Sequence, residues 1–182
     1  MWGQTIADWE WVLGVNLWGV IHGVRTFVPR MLAPDVDCHI VNTASIAGLT
    51  SSPWRGAYAV AKHGVVTLTE MLQQELALEG DKLRASVLCP GFVDTRIQQS
   101  KRHRPESLAN APADDEQASG FATFLKLGSS GGMAPADVAS IVFDAVQEQR
   151  FYVITHPHYL DSVRDRVDRI IDGRGPGAIA QG

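Results

Sequence analysis

Residues 38–91 read CHIVNTASIAGLTSSPWRGAYAVAKHGVVTLTEMLQQELALEGDKLRASVLCPG, and this stretch decides the fold. His39-Ile40-Val41-Asn42-Thr43 is short and β-branched, which predicts a strand. Ser, Gly and Pro then crowd positions 45–56, which predicts a loop. From about Tyr58 to Glu79 a stripe of Tyr58, Ala61, Val65, Leu68, Leu72 and Leu76 follows the helical period, and Gly80 stands where such a helix stops. Arg84-Ala85-Ser86-Val87-Leu88-Cys89 predicts a second strand, ended by Pro90-Gly91. A strand, a helix and a second strand imply parallel pairing with a right-handed crossover.

The same alternation continues on both sides. Upstream, Ile6, Trp9, Leu13, Leu17, Val20, Val24, Phe27 and Met31 predict one helix over about Thr5 to Met31. Thr5 and Asp8 have the spacing of a capping box, with Asp in place of Glu. Downstream the pattern weakens from Arg96 to Gly132, apart from a short amphipathic piece at 121–125. Pro135 suits the first turn of a helix running from Ala136 to Gln149. Phe151-Tyr152-Val153-Ile154-Thr155 predicts a third strand, and a last helix covers about His158 to Ile171. The expectation is an α/β protein, a truncated Rossmann-like three-layer fold with a short parallel sheet. Its strands fall near 38–43, 83–89 and 151–155. Residues 1–172 form one partial domain, and the Gly-rich residues 173–182 a disordered tail.

Composition narrows the function. The chain has 182 residues, 45% hydrophobic and 20% charged, with a formal net charge of −4. That excludes general disorder and allows a real core. No apolar run is long enough to span a bilayer, and MWGQTIADWEW is not a signal peptide, so the expected place is the cytoplasm with no membrane partner. A pI near 5.8 argues against nucleic acid. The basic run Lys101-Arg102-His103-Arg104 is answered by Asp114-Asp115-Glu116 and reads as a solvated loop of mixed charge. Two cysteines make neither a disulfide framework nor a four-cysteine zinc site.

Four groups of residues bear chemistry. Tyr58 and Lys62 share one helix face a turn apart. An ammonium beside a phenol favours phenolate, which makes Tyr58 a candidate acid/base. Ser45 follows a strand end, where ligands of open α/β sheets bind, or it is a loop serine capping a turn. Asn16 lies within the apolar stripe of the first helix, so its amide needs partners, and it either ties down a loop or anchors an ordered water. In Pro90-Gly91-Phe92-Val93-Asp94-Thr95, the Pro90-Gly91 dipeptide alone reads as a plain strand-to-helix turn; alternatively, Gly91 allows close approach of a ligand, and exposed N–H groups there suit an amide or phosphate.

Taken together, Asn16-Leu17-Trp18-Gly19, Ile40-Val41-Asn42-Thr43-Ala44-Ser45, Tyr58-x-x-x-Lys62 and Cys89-Pro90-Gly91-x-Val93-x-Thr95 resemble the short-chain dehydrogenase/reductase family in order and spacing. The resemblance implies an NAD- or NADP-dependent oxidoreductase acting on a secondary alcohol or ketone. By that resemblance Tyr58 is the catalytic acid/base, and Lys62 lowers its pKa and holds the nicotinamide ribose. Ser45 positions the substrate oxygen, and Asn16 supports a proton-relay water. Pro90, Gly91, Val93 and Thr95 line the nicotinamide end of the cofactor. The family's glycine-rich T-G-x-x-x-G-x-G turn and N-N-A-G strand end do not occur in these 182 residues. They resemble the last two-thirds of a family member, so residues 1–182 alone are expected to bind the dinucleotide weakly and to leave one edge of the strand at 38–43 unpaired.

Family members pair their equivalents of the two long helices, which implies a homodimer or homotetramer here. Trp2, Trp11, Val12, Trp18, Val66 and Met71 are the candidate contact residues. The alternative is a non-catalytic relative acting as an interaction or oligomerisation module. A serine hydrolase is disfavoured, since a nucleophile elbow around Ser45 needs glycine at the positions of Thr43 and Ala47. His156-Pro157-His158 reads as a surface turn and not as a metal site.

Overall fold

The computed structural model describes residues 1–34, 36–110 and 131–177. Strands β1 (Cys38–Thr43), β2 (Leu83–Cys89) and β3 (Tyr152–Ile154) form one sheet in the order β1-β2-β3, parallel throughout. Cys38 pairs with Leu83 and Thr43 with Leu88, while Cys89 pairs with Ile154. Among the described residues the outer edge of β1 has no strand beside it.

Alternation along the strands builds three layers. From β2, Leu83, Ala85, Val87 and Cys89 face the long helix α3 (Gly56–Glu79), meeting Val65, Val66, Leu72 and Leu76. The upstream helices α1 (Ile6–Leu13) and α2 (Gly19–Leu32) lie on this side too, where Val20, Val24, Val28 and Met31 close the two clusters. Leu88 and Val153 face the other way, onto Ala145 of α4 (Pro135–Gln147). A last helix, α5 (Leu160–Ile171), follows a short 3-10 turn at Pro157–Tyr159.

Several expectations change. The sheet grows in one direction while α3 and α4 cover opposite faces, so the two crossovers have opposite hands. The second spans residues 90–151, far longer than the tight unit in which strand twist and helix hand enforce the right-handed rule. The expected helix from Thr5 to Met31 is broken by a π-helical turn at Gly14–Trp18, in which the Gly19 N–H donates five residues back to Gly14. The third strand is shorter than expected, and α3 starts earlier, at Gly56. Arg96–His103 and Glu106–Leu108 are 3-10 turns where no element was expected. The piece at 121–125 and the acidic residues 114–116 lie outside the described residues, as do 178–182 of the tail. In the described part of the tail, the Gly175 carbonyl accepts from Arg169 Nη1 at 3.4 Å.

Candidate active site

The C-terminal ends of β1 and β2 open side by side, and the site is built there. Past Thr43 the chain stays extended through Ser45, whose hydroxyl accepts the Ala47 N–H at 3.1 Å and so caps a 3-10 turn at Ile46–Gly48. The same hydroxyl donates to the Pro90 carbonyl at 3.4 Å, joining the loops that leave the two strands. The turn lies hard on α3: a Cβ on Gly48 would come within 2.6 Å of the Lys62 carbonyl oxygen.

Helix α3 presents Tyr58 and Lys62 to this loop. The Tyr58 phenol lies beside Ser45, whose hydroxyl acts to lower its pKa. Lys62 is buried, and its Nζ donates to the Thr43 carbonyl at 2.9 Å while standing 5.8 Å from the centre of the Tyr58 ring. The expected lowering of the phenol pKa is not what the structure gives. Burial raises the Tyr58 phenol above its ordinary value, and the Ser45 hydroxyl and the Arg55 charge act against that rise. Arg55, at the N-cap position of α3, carries no signal in the motifs quoted above. Its position three residues before Tyr58, on the same helix face, was the available signal. Burial also lowers the Lys62 pKa, which follows from taking an ammonium out of water. Cys89, at the end of β2, is fully buried and its thiol is pushed up to about 12, so it stays protonated.

Asn16 stands in the π-turn, half-buried, with Nδ2 donating to the Val12 carbonyl at 3.1 Å. The π-turn packs on α3, where Leu17 sits over Gly64. The amide therefore reaches the site's flank and joins none of the hydrogen bonds made by Ser45 and Lys62.

The turn from Pro90 to Thr95 is shaped by protein contacts. The Gly91 N–H goes to His156 Nδ1 at 3.2 Å, and the Asp94 N–H goes to the Met133 carbonyl at 2.9 Å. Those two donors are engaged inside the protein, which fits the plain-turn reading and departs from the expectation of exposed N–H groups. Val93 bridges Met133, and Thr95 caps the following 3-10 turn through the Ile97 N–H. His156 is thus half-buried against this turn, and only Pro157 and His158 fit the expected surface turn. Among the described residues no group of three His, Cys, Asp or Glu is placed to hold a metal ion.

The basic run also departs from its solvated reading. Arg104 Nη1 meets Asp8 Oδ1 at 2.6 Å, its guanidinium lies 5.1 Å from the centre of the Trp11 ring, and Asn110 joins through the same Asp8 oxygen. Asp8 completes the expected capping box with Thr5, so α1 is tied at its start to the segment that follows β2.

A family model described as short chain dehydrogenase matches residues 3–106. A CLA biosynthesis dehydrogenase/reductase from Lactiplantibacillus plantarum is 31% identical over 97% of this chain and 63% of its own length. A C alpha-dehydrogenase from a Sphingobium species is 31% identical over 94% of this chain and 55% of its own. The chain thus spans between half and two-thirds of the length of these relatives. The crystal structure of a short-chain dehydrogenase/reductase from Burkholderia phymatum in complex with NAD superposes with a TM-score of 0.97. It is 43% identical, and the match covers 100% of this chain and 65% of that one.

Proposed function

From the premise that this chain belongs to the short-chain dehydrogenase/reductase family, we propose that it catalyses hydride transfer between a nicotinamide dinucleotide and a secondary alcohol or ketone. The observation that carries this reading is the convergence of Ser45, Tyr58 and Lys62 at the strand ends, with the buried Lys62 ammonium held by Thr43 and 5.8 Å from the centre of the Tyr58 ring. A nicotinamide dinucleotide, NAD or NADP, supplies the hydride acceptor or donor when bound.

The residues fit that group. Lys62 uses one of its three N–H donors on Thr43, which leaves two for ribose hydroxyls among the described residues. Pro90, Gly91, Val93 and Thr95 line the nicotinamide end. The NAD complex of the 43% identical relative supports the same cofactor class here. Ser45 turns its one hydroxyl proton from the Pro90 carbonyl to the substrate oxygen, on a backbone fixed by its own cap. Tyr58 takes the hydroxyl proton of an alcohol as it is oxidised and returns a proton to the ketone oxygen on reduction. Asn16, with Nδ2 on Val12, holds a proton-relay water through its amide oxygen.

The test is Tyr58→Phe in the full-length protein. Turnover falls by at least a hundredfold if the phenol moves the proton. Turnover near the parental value refutes the assignment. Non-catalytic relatives are separated by the same assay, since they show no turnover in either form.

The homodimer or homotetramer reading is kept with a changed surface. Trp2, Trp18 and Met71 are exposed, and so are Val15 in the π-turn and Phe27 in α2. Val66 leaves the candidate set, because it packs in the core with Ala44 and Val87, and Trp11 lies under Arg104. Light scattering of the full-length protein at micromolar concentration tests association. Among the described residues no helix is long and apolar enough to cross a membrane.

A further inference from the structure

Strands β2 and β3 run side by side, so the residues that follow them emerge together. Cys89 pairs with Ile154, and two residues past the end of each strand Gly91 meets His156. The Gly91 N–H donates to His156 Nδ1 at 3.2 Å, and the Thr155 hydroxyl lies 2.6 Å from the same nitrogen. Because Nδ1 accepts, the ring proton of this neutral imidazole sits on Nε2. Gly91 has no room for a side chain. A Cβ there would lie 2.8 Å from His156 Cγ and 2.8 Å from Tyr159 Cε2. The Gly91 φ is not positive, so the glycine is required by the ring packed against it.

We propose that His156 is a positioning residue for the cofactor-lining turn: by accepting the Gly91 N–H it holds Pro90 to Thr95 in the shape that receives the nicotinamide end of the dinucleotide. This rests on the function proposed above, and it adds a residue outside the Ser45, Tyr58 and Lys62 cluster.

The acceptor is titratable, which gives the contact a direction in pH. A protonated imidazole has two donors and no acceptor, so it opposes the Gly91 N–H. The groups facing the ring are Thr155 on its own segment, His158 and Tyr159 on the next turn, and the Phe92 carbonyl across from it. Arg55, at the start of α3, reaches this group through Tyr159. Burial lowers the His156 pKa and the His158 charge lowers it further, while the Phe92 carbonyl opposes both. The contact therefore holds at neutral pH and is lost on the acid side of the ordinary imidazole value of 6.5.

Two variants of the full-length protein separate acceptor from bulk. The amide oxygen of His156→Asn falls close to the place of Nδ1 and does not titrate, whereas His156→Phe keeps the ring and removes the acceptor. Far-UV circular dichroism and the melting temperature establish that each is folded. NAD and NADP affinities come from isothermal titration between about pH 5 and pH 8. The better-bound cofactor is expected to bind about tenfold more weakly to His156→Phe at neutral pH, the effect of one lost hydrogen bond with a stranded donor. His156→Asn stays within about twofold of the parent there, and it lacks the parent's loss of affinity in acid. Equal affinities in parent and His156→Phe overturn the proposal, as does an acid step that survives in His156→Asn. Exchange of the Gly91 amide hydrogen, read by NMR, needs no cofactor. Faster exchange in His156→Phe than in the other two is expected, and equal exchange in all three overturns the proposal. If the parent binds neither dinucleotide, the function proposed above fails, and the exchange result alone then decides whether His156 holds the turn.

Discussion

Asp8 and Arg104 lie far apart in the chain and meet as an ion pair at 2.6 Å, with only 21% and 12% of their side chains exposed. That exposure sets the pair apart from surface salt bridges, which contribute about 0–1 kcal/mol. Arg104 also donates Nε to the Leu108 carbonyl and Nη2 to Asn110, so its geometry is fixed on three sides. Asp8→Ala and Arg104→Ala are each expected to lower the unfolding free energy by about 2 kcal/mol. The double variant should reveal a coupling of about 1 kcal/mol or more. Urea unfolding of the four proteins measures it, and additive losses would show the pair to be energetically idle.

The same pair sets part of the acid sensitivity. Burial pushes the Asp8 carboxyl up, but hydrogen bonds from Arg104, the Thr5 N–H and Asn110, with the Arg104 charge, together hold it below its ordinary value of 3.8. A depressed carboxyl contributes stability that is fully present above the unfolded-state value and is lost as pH falls through the folded-state value. Unfolding free energy measured downward from about pH 6 should therefore fall less steeply in Asp8→Asn than in the parent below about pH 4. Parallel curves would mean that another carboxylate carries the acid limb.

In the proposed reaction Ser45 would act on the proton-transfer step through Tyr58 as well as on the substrate. The phenol is raised by burial, and the Ser45 hydroxyl pulls it back. In the proposed reaction, alcohol oxidation needs phenolate and so rises with pH through the phenol pKa. Ser45→Ala should lower kcat/KM and shift that rise to higher pH, and Arg55→Met should shift it the same way with a smaller loss in rate. Ketone reduction uses the neutral phenol, so its profile at neutral pH should stay flat. A rise at an unchanged pH in Ser45→Ala would remove the hydroxyl from the account.

Gly48 tests how closely the Ser45 loop must approach α3. A methyl group there would stand 2.6 Å from the Lys62 carbonyl oxygen and 2.9 Å from Val66 Cγ2. The oxygen belongs to helix backbone, which cannot yield as a side-chain tip can. Gly48→Ala should cost about 2 kcal/mol by urea unfolding and weaken the site by moving Ser45 away from Tyr58. A variant as stable as the parent would mean that the loop retreats freely.

The two thiols should differ sharply. Cys89 is fully buried with its pKa pushed up to about 12, while Cys38 is half-buried at the start of β1. A thiol-specific reagent at neutral pH should label one cysteine in the native protein, and Cys38→Ser should abolish that labelling until the chain is unfolded. Labelling of Cys89 in the native state would show that the β2 end opens.

The elements and the parallel sheet were legible in the sequence because they rest on local regularities. Period-2 and period-3.6 patterns, a capping pair at Thr5 and Asp8, and stops at Gly80 and Pro90 act within a few residues. The spacing of Ser45, Tyr58 and Lys62 was legible for the same reason, since a strand end and one helix face fix where those side chains begin. What the sequence could not contain was the environment of each group. The direction of the Tyr58 shift depends on how much water the fold removes, and it came out opposite to the pairwise argument from Lys62. The hand of the second crossover depends on which face α4 covers. Arg104 left the solvent to meet Asp8, Val66 turned to the core, and His156 came to rest against Gly91. Each of these contacts joins residues distant in the chain, and no local pattern encodes it. Desolvation and long-range packing are properties of the closed structure, so only the tertiary fold decided them.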